Sequence, residues 1–323
     1  MKSWFIQSSA ERTSVELREV PVPEPKAGEL LTRVRAAGLN RGEFIAGHGL
    51  TGPGAAKAGG IEAAGEVVKI GDGVKEFKPG DRVMGRAYGA YAEYTIHRIG
   101  GAMPAPATLS WEEAAGAGIA YLTAYDMLWP GGALKAGEWL LVAGASAGVG
   151  VASVQLGKLI GARVIGTSGS AEKLKKLAAL GLDLGLQNRN GGFEKAVMEA
   201  TGGKGVDLVV NNVGGSVFAE CIRALAYRGR LATVGYVDGV VKAELDILAL
   251  HSKRLKLFGV SNKMRSASEV AEGVRGFVRD VLPALASGHL RPVIDKVIAF
   301  ADLPQAKAYM ESNAQLGKII LRA

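Results

Sequence analysis

The stretch Trp139-Leu140-Leu141-Val142-Ala143-Gly144-Ala145-Ser146-Ala147-Gly148-Val149-Gly150 constrains this chain more than any other. An apolar run drops into a turn of small residues. Apolar side chains then recur at helical spacing at Val149, Ala152, Leu156 and Ile160, with Gln155 and Lys158 on the other face. A buried strand that ends in such a turn lets backbone N–H groups approach a pyrophosphate at the positive end of the next helix. Measured against the dinucleotide fingerprint G-x-G-x-x-G, the aligned residues are Ala145, Ala147 and Gly150, so the motif alone is a weak signal. Ala162-Arg163-Val164-Ile165-Gly166-Thr167 reads as a second strand and closes a βαβ unit, which strengthens it. The weaker alternative is a small-residue turn that only packs a helix on a sheet.

The residue that ends the second strand selects the dinucleotide. An acidic side chain there would bond a ribose 2′-hydroxyl and repel a 2′-phosphate. This chain has Ser168, then Gly169, Ser170 and, a helical turn later, Lys173. Two hydroxyls and an ammonium suit a phosphate, so NADPH is the expected cofactor in preference to NADH. Ser170 can also cap the helix Ala171 to Leu180, and Lys173 can be a solvated surface charge. The two roles are compatible.

A chain of 323 residues with 48% hydrophobic content can bury a large core, and its length suggests two domains. Met1-Lys2-Ser3-Trp4-Phe5-Ile6-Gln7 turns polar too soon for a secretory segment, and no apolar stretch approaches bilayer-spanning length, so a cytoplasmic location without membrane partners is expected. The single cysteine, Cys221, excludes internal disulfides and a cysteine-clustered zinc site. It lies among apolar helix residues and reads as a buried structural thiol. The net charge of +8 is scattered, with no lysine or arginine run longer than two, which argues against nucleic acid as the main partner.

Before residue 110 short alternating segments and frequent glycine and proline indicate a compact β-rich domain. Strands are expected at Glu29 to Arg35, Glu62 to Val68, Arg82 to Met84 and Gly89 to Ile96. Ser110 and Glu113 form a capping box that opens a helix running from Trp111 until Pro130 breaks it, bridging to the next domain. From Gly137 strands and helices alternate: Trp139 to Ala143, Arg163 to Thr167, Leu184 to Gln187, Val206 to Asn212, Arg230 to Val234 and Leu255 to Val260 are strands, with helices between them. Six such strands make a doubly wound parallel sheet. Ser266 with Glu269 caps one long helix that carries Val270, Val274, Phe277, Val281 and Leu285 on a single stripe. Strand Val293 to Phe300, helix Leu303 to Glu311 and strand Lys318 to Leu321 follow.

This organisation resembles the medium-chain dehydrogenase/reductase superfamily over essentially the whole chain, and more narrowly its zinc-independent, ζ-crystallin-like NADPH:quinone oxidoreductase branch. The residues that carry the resemblance are Ala37-Gly38-Leu39-Asn40, Gly60-Ile61-Glu62-Ala63-Ala64-Gly65, Phe77-Lys78-Pro79-Gly80-Asp81-Arg82-Val83, Gly89-Ala90-Tyr91-Ala92-Glu93-Tyr94, Leu122-Thr123-Ala124 and the Ala145 to Gly150 loop. It implies an α/β protein with a GroES-like β-rich catalytic domain over 1–122. A Rossmann NADP-binding domain over 123–262 and a segment over 263–323 that returns to the catalytic domain complete it. Where zinc alcohol dehydrogenases of the superfamily place a cysteine and a histidine, this chain has Asn40 and Ile61, and only Glu62 of that neighbourhood remains. Neither an amide nor an alkyl chain replaces thiolate and imidazole around zinc, so no zinc is expected. His48, His97, His251 and His289 lack ligand spacing and read as structural or surface residues.

The same resemblance implies that Asn40 lies beside the nicotinamide and Thr123 at its carboxamide, the two positions nearest the chemistry. It gives Ala147, Gly148, Val149 and Gly150 to the pyrophosphate, and Ser168, Gly169, Ser170 and Lys173 to the adenosine phosphate. Asn188 stands there in place of a tyrosine common among relatives. Asn212, Gly214, Gly235, Tyr236, Gly259 and Val260 would line the cofactor at the carboxyl ends of later strands, with Asn313 near its far end. The loop His48 to Ala58 lacks another tyrosine of the branch. Tyr88, Tyr91 and Arg41 are proton-donor candidates by residue class only. The implied activity is hydride transfer from NADPH to a quinone; reduction of activated C=C bonds in alkenals, enones or enoyl thioesters is the alternative. A non-catalytic NADPH- or RNA-binding protein is a third reading of a different class. The strand ending at Val260 should form a sheet edge and pair across a two-fold axis as a homodimer.

Overall fold

A computed structural model describes residues 1–8, 13–45, 55–188 and 191–323. The chain divides into two compact units, Met1–Leu122 with Asn262–Ala323, and Thr123–Ser261. The first unit opens with strands β1 (Lys2–Ser8), β2 (Thr13–Glu19), β3 (Glu29–Gly38), β4 (Lys57–Ala58), β5 (Glu62–Ile70), β6 (Arg82–Tyr88) and β7 (Tyr94–Pro104). Helix α1 (Trp111–Ala117) follows, and α2 (Ala120–Asp126) leads on in sequence.

The second unit comprises β8 (Trp139–Ala143), α3 (Gly148–Ile160), β9 (Arg163–Ser168), α4 (Ala171–Ala179), β10 (Leu184–Gln187), α5 (Glu194–Ala200) and β11 (Val206–Asn211). It continues with α6 (Phe218–Arg223), β12 (Leu225–Thr233), α7 (Ile247–Ser252) and β13 (Lys256–Gly259). The chain then completes the first unit with α8 (Ala267–Asp280), α9 (Leu282–Ala286), β14 (Ile294–Ala299), α10 (Leu303–Glu311) and β15 (Lys318–Arg322).

β3 shows why the first unit is a sheet. Leu30, Leu31, Thr32, Val34, Ala36 and Ala37 are buried while Arg33 and Arg35 point to solvent, a near two-residue alternation. Its six-stranded sheet has the order β14-β15-β3-β5-β6-β7, with an added β3–β7 pairing, beside a smaller sheet β2-β1-β4. Trp4, Ile6, Leu39, Phe44, Tyr91, Leu303, Met310, Ile319 and Leu321 pack into one core. The second unit holds the expected six-stranded parallel sheet, in the order β10-β9-β8-β11-β12-β13. Leu140, Leu141, Val142 and Ala143 of β8 are all fully buried, as a central strand covered on both faces requires. Sequential strands run outward from β8 on one side and return from β11 on the other, so a crevice-forming reversal lies between those two strands.

Three elements differ from expectation. The helix from Trp111 to Pro130 breaks at Gly118 and Ile119, because the N–H of Ile119 donates to Glu62 Oε2 (2.7 Å) in place of a helical carbonyl. It also runs past Pro130 as a wide turn over Met127–Gly131. The long C-terminal helix is two, α8 and α9, since Pro283 starts a new helix after Val281; the stripe of Val274, Phe277, Val281 and Leu285 is nevertheless buried throughout. Strand β7 begins at Tyr94, and Gly89 to Glu93 instead form a turn pinned by Ala90 N and Tyr91 N to the carbonyls of Gly60 and Gly59. No helix among the described residues is long and apolar enough to cross a membrane.

Candidate functional site

In the second unit the small-residue turn is held over the end of β9. Gly144 N donates to Thr167 Oγ1 (3.1 Å) and Ala145 N to Thr167 O (2.9 Å). Helix α3 starts with Ala147 at its cap position and no side-chain cap bond. Its first N–H groups are therefore left to water or to an anion, which the helix dipole favours. A Cβ at Gly150 would meet Gly144 O at 2.3 Å and Ala145 Cα at 2.8 Å, so only glycine lets the helix back onto the turn. Ala147, Gly148, Val149 and Gly150 thus share one anion-receptive turn.

The residues expected at a 2′-phosphate form a second cluster, at the carboxyl ends of β9 and β10. Ser168 is buried, donates to Ser146 Oγ (3.3 Å) and accepts from Ser170 N (3.4 Å), which ties this cluster to the first. Ser170 Oγ accepts from Lys173 N (3.3 Å) and caps α4, leaving the half-buried Lys173 in the first helical turn. Asn188 N donates to Ser168 O (2.9 Å), and Asn188 Oδ1 accepts from Gly191 N (2.8 Å). No carboxylate ends β9.

Past β11, Asn212 Nδ2 donates to Ala143 O (3.1 Å) while its Oδ1 is buried without a hydrogen-bond partner among the described residues, as is Thr233 Oγ1 at the end of β12. Such a group costs about 1–3 kcal/mol until a donor reaches it. A Cβ at Gly235 would find only Asn212 O, at 3.8 Å, and one at Gly259 nothing within 4 Å, so both positions open onto space. Gly214 differs: a side chain there would collide with the Asp238 carboxylate, which accepts from Ser216 N and Val240 N (both 2.9 Å). Tyr236 is partly exposed, and Val260 N donates to Thr233 O (2.9 Å). Buried oxygens, uncapped helix and open glycines suit a dinucleotide. Thr123 is buried in α2, whereas Asn40 and the exposed Asn313 belong to the first unit.

The first unit contains a buried polar cluster around Asn40. Lys318 and Glu62 form an ion pair with side chains 5% and 0% exposed. The Lys318 ammonium also donates to Leu39 O (2.7 Å) and Asn40 Oδ1 (3.0 Å), and Asn40 Nδ2 donates to Glu62 Oε1 (2.9 Å). Nearby, Glu43 accepts from Tyr91 Oη and Gly60 N, both at 2.8 Å. Burial, with Glu62 adding a smaller push, raises the Glu43 carboxyl to about 7 despite those two bonds. Burial likewise drives the Tyr91 phenol well above its ordinary range, which removes it as a ready proton donor.

Tyr88 is exposed, and Arg41 Nη2 is spent on Met310 O (2.6 Å) at the end of α10. Burial lowers His97 to about 4, His251 and His289 are exposed, and His48 lies outside the described residues, as does most of the loop His48 to Ala58. Cys221 is fully buried, and burial holds its thiol far above its ordinary value. Neither Lys318 nor Glu43 is found by the sequence reasoning. The only signal for Lys318 is a charge opening the apolar run Ile319-Ile320-Leu321, and Glu43 has none.

The chain matches the alcohol dehydrogenase GroES-like domain family over residues 26–107 and the zinc-binding dehydrogenase family over residues 148–275. It is 30% identical to rat quinone oxidoreductase over 308 residues, covering 94% of this chain and 92% of that protein. It is 32% identical over 310 residues to a phenolphthiocerol/phthiocerol polyketide synthase of Mycobacterium tuberculosis, covering 95% of this chain but only 14% of that much longer protein. The structure of a mycobacterial protein complexed with NADPH superposes with a TM-score of 0.89, at 28% identity and full coverage of both chains. The chain therefore belongs to the medium-chain dehydrogenase/reductase superfamily of oxidoreductases, in its quinone oxidoreductase-like branch. Its donor set does not fit the zinc of that family description: Asn40 and Ile61 offer neither thiolate nor imidazole, Glu62 Oε1 and Asn40 Oδ1 already accept from an ammonium, and Glu62 Oε2 accepts from Ile119 N.

Proposed function

We propose that this protein is an NADPH-dependent quinone reductase that needs no metal ion. What carries the reading is the end of β9. The uncapped N-terminus of α3 follows β8, and beside it β9 ends in Ser168, with Ser170 and Lys173 just beyond, where a carboxylate would repel a 2′-phosphate. Ala147, Gly148, Val149 and Gly150 would hold the pyrophosphate, and Ser168, Gly169, Ser170, Lys173 and Asn188 the adenosine end. Asn212, Gly214, Gly235, Tyr236, Gly259 and Val260 would border the rest, with Asn313 at its far end and Asn40 and Thr123 at the nicotinamide. Bound NADPH would supply a hydride that, with a proton from solvent, reduces a small electron-poor acceptor by two electrons. A quinone delocalises the incoming charge and needs no Lewis acid to do so.

Lys173→Ala tests the cofactor assignment. It should raise the NADPH dissociation constant about tenfold and leave that of NADH within about twofold, because the lost charge-assisted bond exists for one cofactor only. Equal changes for both would refute the phosphate role. Likeness to a polyketide synthase favours a second reading, reduction of an activated C=C bond in an enoyl thioester or enone. Steady-state rates with NADPH against an ortho-quinone, an enal and an enoyl thioester choose between the two. The expected assembly is a homodimer through β13, the last strand of its sheet; a monomeric mass by light scattering would reject it.

A further inference from the structure

We propose that Lys318 is a positioning residue: its buried ammonium, gripped by Leu39 O, Asn40 Oδ1 and Glu62 Oε1, locks the amide of Asn40 in one orientation for the acceptor. This rests on the reading that puts Asn40 beside the nicotinamide. An ammonium has three donors and no acceptor, and here each donor has its own oxygen. The amide is fixed from both ends. Its oxygen faces the cation, and its nitrogen faces Glu62 Oε1 at 2.9 Å and Gly38 O at 3.4 Å.

Turning the amide over would set its NH2 against the ammonium and its oxygen against a carboxylate. Both contacts would be repulsive beside a buried ion pair, so one orientation survives. Glu62 Oε2 meanwhile accepts from Ile119 N at the break that starts α2, the helix that carries Thr123. One buried ion pair therefore anchors both the turn after β3 and the residue that leads into the helix bearing the second candidate nicotinamide contact.

The test combines side-chain NMR with kinetics on wild type and Lys318→Met. In wild type, the Asn40 NH2 resonances should show relaxation as restricted as the backbone, and in Lys318→Met they should become mobile. kcat/KM for the quinone should fall about ten- to a hundredfold, mostly through the acceptor KM and kcat, the usual result of misplacing a positioning group. The NADPH dissociation constant, read by nucleotide fluorescence, should stay within about twofold, since the second unit supplies the dinucleotide turns. A folded Lys318→Met with wild-type kcat/KM and a rigid Asn40 amide would overturn the proposal, as would an equal weakening of NADPH binding. If Lys318→Met does not fold, wild type decides: an Asn40 amide as mobile as that of exposed Asn313 overturns it. Wild type without turnover on any quinone or activated alkene would defeat the reductase reading alone, and the NMR result would still judge Lys318.

Discussion

Glu62 and Lys318 are almost wholly removed from water, which makes each costly alone and tolerable in company. Lys318→Met should destabilise the protein by about 3–5 kcal/mol, because it strands a buried carboxylate. Adding Glu62→Gln to that variant should recover part of the loss by removing the stranded charge; urea unfolding of the two variants and of wild type measures both. A double variant less stable than Lys318→Met would show that the carboxylate is not the source of the penalty. The pair was half legible. Asn40 and Glu62 stand out by resemblance, but the ammonium that completes them comes from 278 residues further along the chain, and no local pattern encodes that distance. A lysine at the start of a strand is ordinarily solvated, so Lys318 reads as surface until the fold closes over it. Tyr91 fails as a donor for the converse reason, since its residue class is visible and its burial is not.

At the scale of elements, Ser170 does two jobs that one substitution can separate. Its hydroxyl caps α4, and the same group lies where an adenosine 2′-phosphate is proposed. Ser170→Asp keeps a good cap, so the melting temperature should hold, whereas Ser170→Ala should lose about 1 kcal/mol. The aspartate would also face a phosphate, so NADPH should weaken at least about tenfold while NADH is spared. Equal loss of both cofactors would confine Ser170 to capping. Most elements could be read from their own residues. Both capping boxes, the α10 span and the βαβ unit carry local signals that the structure keeps. The breaks were hidden because their causes are remote or compete: Glu62 splits α1 from α2 across the sheet, and Pro283 ends α8 within a stripe whose apolar spacing never falters. Helix α7 was missed because its exposed Ile247 and Leu248 give no buried stripe, and only the Asp246 cap marks it.

For the whole molecule, the six-stranded doubly wound parallel sheet of the second unit was legible from alternating strands and helices, each strand pairing with at least one neighbour in the chain before the reversal between β8 and β11. In the first unit β15 pairs with β3 across nearly the full chain, and such pairing leaves no trace in a local window. That unit also buries two titrating groups with opposite effects on stability. His97 is held by burial at about 4 against an ordinary 6.5, so as pH falls from 6.5 to 4 the unfolded chain takes up a proton that the folded chain refuses. Stability is then lost on acidification, by about 3 kcal/mol in full. Glu43 is held by burial at about 7 against an ordinary 4.5, so as pH rises from 4.5 to 7 the unfolded chain gives up a proton that the folded chain keeps. Stability is then lost on alkalisation, by a similar about 3 kcal/mol. Between pH 4.5 and 6.5 the two slopes offset each other. Relative to wild type, Glu43→Gln should therefore gain stability as pH rises through that window, and His97→Asn should lose it. Urea midpoints taken every half pH unit would show the two variants diverging in opposite directions, and variants that run parallel to wild type would remove both residues from the acid–base balance of the fold.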